Sequence, residues 1–223
     1  MEIRNTLPED MDRVMFIFEQ AKQFMRLNGN LHQWTGGYPS EEVLKADISS
    51  NSSFVCVDDQ KEVVGTFCFR YGFSPEPTYN VIYDGGWLNE KPYGVIHRIA
   101  SSGKVGGVFS ACLEWCSRYV DNIRIDTHRD NRVMQELLLR HGFRRCGIIY
   151  LANGDERIAF QKEKKCNRYS LGKIFFRSEV HTLTVYWIAK SYSGFSWFDR
   201  MLPSCFSEGL LAMILPSGPS NMR

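Results

Sequence analysis

The chain reads Arg98-Ile-Ala-Ser-Ser-Gly-Lys-Val-Gly-Gly-Val108 at the junction between a predicted strand and a predicted helix. Residues 93–101 are apolar and β-branched enough for the strand, and apolar side chains recur at helical spacing between 105 and 119. Glycines and serines at a helix start let backbone N–H groups converge on an anion, and the helix dipole attracts phosphate there. The stretch therefore predicts an anion-binding loop, with a plain strand-to-helix turn as the alternative.

Two well-known phosphate-binding patterns do not describe this loop. No Gly-Lys-Ser/Thr triplet opens the predicted helix, so the loop is not a Walker loop. The G-x-G-x-x-G spacing of dinucleotide-binding folds is missing as well. Lys104 nevertheless supplies a point charge at the helix start, where a phosphate group would lie.

The residues on both sides of the loop alternate between helical and strand patterns. Thr6-Leu7-Pro8-Glu9 has the form of a capping box that starts a helix running to about Leu27, and Ser40 is suited to cap a second, shorter helix. Turn residues separate two pairs of apolar runs, which predicts two hairpins. The remaining predicted elements are strands at 3–4, 54–57, 63–70, 123–126, 148–151 and 157–161, and a helix from Asn131 to His141.

The composition describes a protein with a buried core and excludes several classes. The 223 residues are 43% hydrophobic and 23% charged, which argues against disorder of the whole chain. A net charge of +2 gives no reason to expect nucleic acid as a partner. No apolar run reaches the roughly 18 residues of a membrane span. The first residues carry no apolar signal core, so we expect a cytoplasmic protein.

Seven cysteines, an odd number, are spread widely along the chain. No CxxC pair occurs, so the usual zinc-ribbon spacing is absent, and we expect no metal. In a cytoplasmic chain the simplest interpretation is a set of reduced thiols, several of them buried.

Two short patterns point to a known family. One is the loop run Lys104-Val-Gly-Gly-Val-Phe109, and the other is Asn131 followed eleven residues later by Gly142-Phe143. Together with the order of elements, they resemble the GNAT superfamily of acetyl-CoA-dependent N-acetyltransferases. The resemblance covers about residues 1–162.

The chain departs from both family patterns. The family's loop pattern is Arg/Gln-x-x-Gly-x-Gly/Ala, whereas Lys104 stands in the first slot here and Phe109 in the last, where a small residue is usual. The second pattern is Asn-x-x-Ala-x-x-x-Tyr-x-x-x-Gly-Phe, in which Met134 replaces Ala and Leu138 stands in the Tyr position. That Tyr often protonates the departing thiolate, so this chain would use another acid, a water or no acid.

The resemblance implies an α+β fold, with a mixed, mostly antiparallel twisted sheet flanked by helices. Its two central parallel strands, here 95–101 and 123–127, would splay apart and bind the pantetheine arm as another strand would. Acetyl-CoA would be the co-substrate, and an amine of a small molecule or peptide would attack it directly in a ternary complex. The residues implied to bind acetyl-CoA are Ile99, Ala100, Ser101, Ser102, Gly103, Lys104, Gly106, Gly107 and Asn131.

Three side chains near the predicted gap are candidates for catalysis. His97 lies on the first strand, where it either accepts the proton that the amine must lose or serves as a packing histidine. Asp126 and His128 stand at the end of the second strand. Asp126 either orients His128 or takes a capping or solvated role at the start of the next helix.

In the family, the acceptor-binding side of the site is built by the loop after the first helix and by the segments before the strand that leads into the anion-binding loop. We expect the acceptor-binding side to be built in the same way here. Trp34, Tyr38, Trp87 and Tyr93 could form its wall and favour an aromatic or ammonium-bearing substrate, or they could be core residues. Asp84 could attract a cationic amine or serve in a turn.

Charge divides the chain near residue 162. Residues 163–223 carry eight basic and four acidic side chains, a net charge of +4, while the rest carries 19 and 21, a net charge of −2. We therefore predict a GNAT-like acetyltransferase domain over 1–162 and a C-terminal extension over 163–223. The extension is interpreted as a poorly ordered segment, with a small added subdomain or a membrane-surface attachment as alternatives.

Two functions of different classes remain open. The first is an N-acetyltransferase, which the loop and Asn131 favour. The second is a degenerate member of the same fold that binds acyl-CoA or a partner without turnover, which Leu138 and Phe109 favour. A homodimer is compatible with either function.

Overall fold

The computed structural model describes residues 1–164, so the predicted extension lies outside the described residues apart from Glu163 and Lys164. Two 3-10 turns, Pro8–Asp10 and Pro77–Tyr79, accompany the regular elements. The strands and helices are β1 Glu2–Asn5, α1 Met11–Leu27, α2 Glu41–Ser49, β2 Ser53–Val57, β3 Val63–Gly72, β4 Tyr93–Ser101, α3 Val108–Cys116, β5 Asn122–Thr127, α4 Arg132–Arg140, β6 Arg144–Tyr150 and β7 Glu156–Glu163.

The described strands form one seven-stranded sheet in the order β1-β2-β3-β4-β5-β7-β6. Every neighbouring pair is antiparallel except β4 and β5, which run parallel. The parallel pairing is limited to Gly94 with Ile123 and Val95 with Arg124. Beyond these pairs, no residue of β4 pairs with a residue of β5. The predicted mixed sheet with splayed central strands is thus confirmed.

A β-bulge lies in β4 a few residues beyond Val95, the last residue of β4 that pairs with β5. On β3, Thr66 pairs with Ala100 and Cys68 pairs with His97, so two residues of β4 oppose one residue of β3. One of the two is Arg98, whose φ of 49° lies in the left-handed region. A bulge bends its strand and increases the local twist. The bend helps β4 to leave β5 and to open a gap between them.

Helices cover the two faces of the sheet with separate apolar clusters. On one face, α1 and α2 pack on alternate residues of β2 and β3, such as Val55 and Val63. On the other face, α3 packs with Leu138 of α4 against residues such as Phe67. Leu138 is fully buried, so the position that holds Tyr in the family pattern is part of the core here.

The capping box predicted at Thr6–Glu9 is wrong, because other residues form the hydrogen bond before α1. Thr6 is buried against β2, where its hydroxyl lies 2.7 Å from the Ser53 hydroxyl, so it caps nothing. Instead the Leu7 N–H donates to the Asp10 carboxylate at 2.8 Å, across the 3-10 turn that precedes α1. The predicted Ser40 cap of α2 is confirmed, since its hydroxyl accepts from the Val43 N–H.

Most other predicted boundaries agree with the structure to within a few residues. The helical spacing predicted from 105 to 119 is the largest overestimate, because α3 is only nine residues long. The five cysteines among the described residues are all buried free thiols, as expected. Within residues 1–164, no helix is long and apolar enough to cross a membrane.

Candidate functional site

A cavity of about 620 Å³ opens where β4 and β5 separate. Its lining comes from the end of α1 and the loop after it, from β3 and the turn that follows it, from the second half of β4, from the end of β5 and from α4. The start of α3, the turn between β6 and β7 and the start of β7 complete the described lining. It includes the β4 residues from Ile96 to Ser101 and the β5 residues from Ile125 to Thr127. The splay predicted from sequence therefore produces an accessible site with both free strand edges at its walls.

His97 on β4 lies between two carboxylates in this cavity. Its Nε2 is 3.1 Å from Glu76 Oε2, and its Nδ1 is 3.9 Å from Asp126 Oδ1 on β5. Asp126 also accepts a hydrogen bond of 2.6 Å from the Tyr79 hydroxyl. The side chains of His97, Glu76 and Asp126 are each less than a fifth exposed, which limits the screening of their charges by water. Their arrangement can hold a proton and attract a cationic amine.

The protonation states of two neighbours follow from their surroundings. The hydrogen bond with His97, aided by bonds from Thr78, lowers the pKa of Glu76 from 4.5 to about 2, so Glu76 is ionised at neutral pH. Burial, followed by the nearby Asp126 charge, raises the pKa of Tyr79 well above its usual value. Tyr79 is therefore a neutral hydrogen-bond donor that holds Asp126 in place.

Sequence reasoning missed Glu76 and Tyr79. Tyr79 ends the 3-10 turn that Pro77 opens. Glu76 precedes the turn as its cap, and the Glu76 carboxylate accepts from the Thr78 N–H at 3.2 Å. The only local signal is an acidic residue directly before proline. Nothing in that signal shows that the turn lies against β4 and β5, the nearer of which begins only at Tyr93.

The predicted pair of Asp126 and His128 does not form a contact. His128 lies beyond the end of β5, and its Nδ1 accepts from the Asp130 N–H at 3.2 Å. Burial is the largest cause of its lowered pKa, followed by the charge of Arg157. Asp126 instead lies near His97, Tyr79 and Arg157, the last with its Nε 3.8 Å from Asp126 Oδ2. Asp126 neither orients His128 nor caps α4, since Asn131 is the cap.

The loop before α3 has the backbone geometry that an anion site needs. Gly107, with a φ of 84°, is the residue before α3, and the first N–H to donate to a carbonyl is that of Ala111, to Gly107 O. The N–H groups of the first three helical residues therefore have no carbonyl partner in the described chain. A Cβ on Gly106 would meet nothing within 4 Å, so the loop has room beside it.

Asn131 has its side-chain atoms engaged within the protein. Its oxygen accepts from the Met134 N–H at 3.1 Å, which caps α4, and its amide nitrogen donates to Gln33 Oε1 at 2.9 Å. The residue lines the cavity and ties α4 to the loop after α1. Contact with acetyl-CoA remains a prediction for this residue.

The five predicted acceptor residues fall into two groups. Trp34 and Tyr38 line the cavity, and the Tyr38 hydroxyl accepts a 2.9 Å hydrogen bond from Arg98. Trp87 and Tyr93 lie outside it, where their rings pack on the two sides of the Arg124 guanidinium at 4.1 and 3.9 Å. Asp84 is exposed, outside the cavity, in a turn with a φ of 52°. For the last three residues the packing and turn interpretations agree with the structure.

Several solved structures are similar to this chain. An acetyltransferase of the GNAT family from Streptococcus agalactiae is 30% identical over 74% of this chain and 96% of that one, with a TM-score of 0.66. A GNAT-family acetyltransferase from Listeria monocytogenes is 18% identical over 73% and 94%, with a TM-score of 0.54, a likeness of fold alone. No protein-family model and no curated protein matches the chain.

Proposed function

The chain belongs to the GNAT family of acetyltransferases, and on that premise we propose that it transfers the acetyl group of acetyl-CoA to an amine by direct attack. One observation carries the proposal: His97 and its two carboxylates line a cavity at the point where β4 and β5 part. A thioester bound in that gap would have a proton acceptor beside it and free backbone groups along β4.

The binding half of the proposal rests on backbone groups. The edge of β4 beyond Val95 has no strand partner on the β5 side and could pair with the amide groups of pantetheine. The free N–H groups at the start of α3 could bind the diphosphate, aided by the helix dipole and by Lys104. We therefore retain the predicted acetyl-CoA contacts on β4 and in the loop, which are Ile99, Ala100, Ser101, Ser102, Gly103, Lys104, Gly106 and Gly107.

The chemical half assigns proton transfer to His97. The acceptor reaches the cavity as an ammonium ion, and His97 removes one proton so that the nitrogen lone pair can attack the thioester carbon. A nitrogen–carbon bond forms, the nitrogen loses its second proton to water, the carbon–sulfur bond breaks, and the electron pair leaves with sulfur. The amide and the free thiol of CoA are the products, with one proton released overall to solvent. Leu138 has no proton to give, so we assign protonation of the departing thiolate to water.

The test is acetyl-CoA-dependent release of free thiol with a panel of primary amines, beside calorimetric binding of acetyl-CoA. We expect both binding and turnover. Acetyl-CoA binding without thiol release from any amine would favour the alternative, a binding protein without turnover, to which the buried Leu138 points. Absence of acetyl-CoA binding would contradict acetyl transfer and also the acyl-CoA-binding form of the alternative.

A further inference from the structure

We propose that the acceptor amine carries a carboxylate or similar anionic group, which Arg70 binds while the amine lies beside His97. This inference rests on the proposed acetyl transfer and specifies the class of its acceptor. It follows from a separation of charge within the cavity between β4 and β5.

The positive end of the cavity is a pair of guanidinium groups that share one carboxylate. Asp47 of α2 is 4% exposed, with Oδ1 3.1 Å from Arg70 and Oδ2 2.6 Å from Arg98. Within residues 1–164, Asp47 is the one carboxylate within 4 Å of either guanidinium. Burial raises the pKa of the adjacent Cys68 thiol, so this thiol stays uncharged at neutral pH. The cluster therefore has an excess charge of about +1.

The two arginines differ in what they can offer to a ligand. The Arg98 side chain is 12% exposed and also donates to Tyr38, which fixes it as part of the wall. The Arg70 side chain lines the same cavity but is 43% exposed. Because a guanidinium has five N–H donors in a planar fork, Arg70 can keep its bond to Asp47 and still bind a second carboxylate.

The opposite charge lies around His97. Glu76, Asp126 and Asp155 line this end of the cavity, with Arg157 as the cation that contacts Asp126 and Asp155. Three carboxylates against one guanidinium favour an ammonium group. An alkylammonium ion without an anionic group would use this end alone and would leave the charge on Arg70 without a ligand partner.

The distance between the two ends suits a short acceptor. Cys68 of β3 is the partner of His97, and Arg70 is two residues further along the same strand. Arg70 and His97 are thus diagonal neighbours on one face of the sheet, where such residues are about 7–8 Å apart. An amine and a carboxylate separated by a few carbon atoms can reach both groups.

The experiment compares ω-amino acids of three to five carbons with n-alkylamines of the same carbon count in the thiol-release assay. In the wild-type protein we expect kcat/KM for the best amino acid to exceed that of its alkylamine by about tenfold or more, as a charged hydrogen bond allows. In Arg70→Gln the ratio should fall to about one. Arg70→Lys should retain part of the preference.

The control is Arg118→Gln, because Arg118 is two-thirds exposed, pairs only weakly with Glu114 at 3.6 Å and lies outside the cavity. It should leave the ratio unchanged. Arg70→Gln should fold, since Asp47 keeps its bond to Arg98. Equal rates for acids and alkylamines in the wild type, or a preference that survives Arg70→Gln, would overturn the assignment.

A second measurement separates this inference from the proposed function. If no amine releases thiol, acetyl transfer is disproved for the panel, and calorimetry with 4-aminobutyrate and butylamine in the presence of CoA decides on the anion site. Tighter binding of 4-aminobutyrate that Arg70→Gln abolishes would support the site without turnover. Equal binding of both probes would refute it.

Discussion

Among the four histidines that lie within residues 1–164, His97 differs by its two carboxylate neighbours from separate elements. One of them, Asp126, is close in the fold only because β5 lies beside β4. The other, Glu76, comes from a turn whose position against the sheet no sequence pattern indicates. Residue types could therefore be predicted as candidates, but their partners could not, since contacts across the sheet depend on tertiary packing.

The Glu76–His97 contact should stabilise the fold in a pH-dependent way. The pKa of Glu76 is about 2 in the folded protein against a usual 4.5, so the contribution is complete above pH 4.5 and is lost as the pH falls towards 2. At pH 7, Glu76→Gln should lower the free energy of unfolding by about 1.5–3 kcal/mol. Urea unfolding should show this difference shrinking between pH 5 and pH 3.5.

The matched control is Glu114→Gln, whose parent side chain is mostly exposed. It should have no effect beyond a few tenths of a kcal/mol at any of these pH values. If the difference in the free energy of unfolding between the wild type and Glu76→Gln stays constant down to pH 3.5, the carboxylate charge does not stabilise the fold.

At the scale of elements, local patterns predicted strands and hairpins well where apolar residues alternate with clear turn residues. β4 was predicted with the bounds that the structure has, and both hairpins are present. The α1 start was misassigned because Thr6 packs against Ser53, which is 47 residues away in the chain. The bulge at Arg98 gives no sequence signal at all, since a non-glycine residue with a positive φ is uncommon.

The loop before α3 should bind the diphosphate of acetyl-CoA through backbone N–H groups. Gly106 is the position to test, because it has open space and no positive φ, whereas Gly107 is left-handed and any substitution there is strained. Gly106→Ala should bind acetyl-CoA about as well as the wild type does. Gly106→Glu should bind at least about tenfold more weakly in calorimetry, because its carboxylate would repel the diphosphate. Equal affinities for the two variants would remove the loop from the site.

At the scale of the whole molecule, the seven strands of residues 1–164 form one continuous sheet without an interruption in its order. The cavity lining that the structure describes comes from the same part of the chain. A chain ending at Lys164 should therefore fold, bind acetyl-CoA with the affinity of the full chain and melt at roughly the same temperature. A truncated protein that is insoluble, or that melts far below the full chain, would show that the extension contributes to the fold.

The fold class could be predicted because the order of elements and the loop pattern occur together in one family. The proposed acceptor-binding groups could not be predicted, because Asp47 of α2, Arg70 of β3 and His97 of β4 come together only through tertiary packing. The positive cluster of Arg70, Arg98 and Asp47 is visible only once these elements are packed together.

The proposed mechanism is acetyl transfer with His97 as the proton acceptor. Its most direct test is the steady-state rate of thiol release from acetyl-CoA by His97→Gln, measured with the amine that the wild type uses best. Loss of a general base lowers turnover by about 10²- to 10⁴-fold. We predict a kcat lowered by that factor, with calorimetric affinity for acetyl-CoA unchanged. A His97→Gln protein with wild-type kcat would return His97 to a packing role and contradict the mechanism.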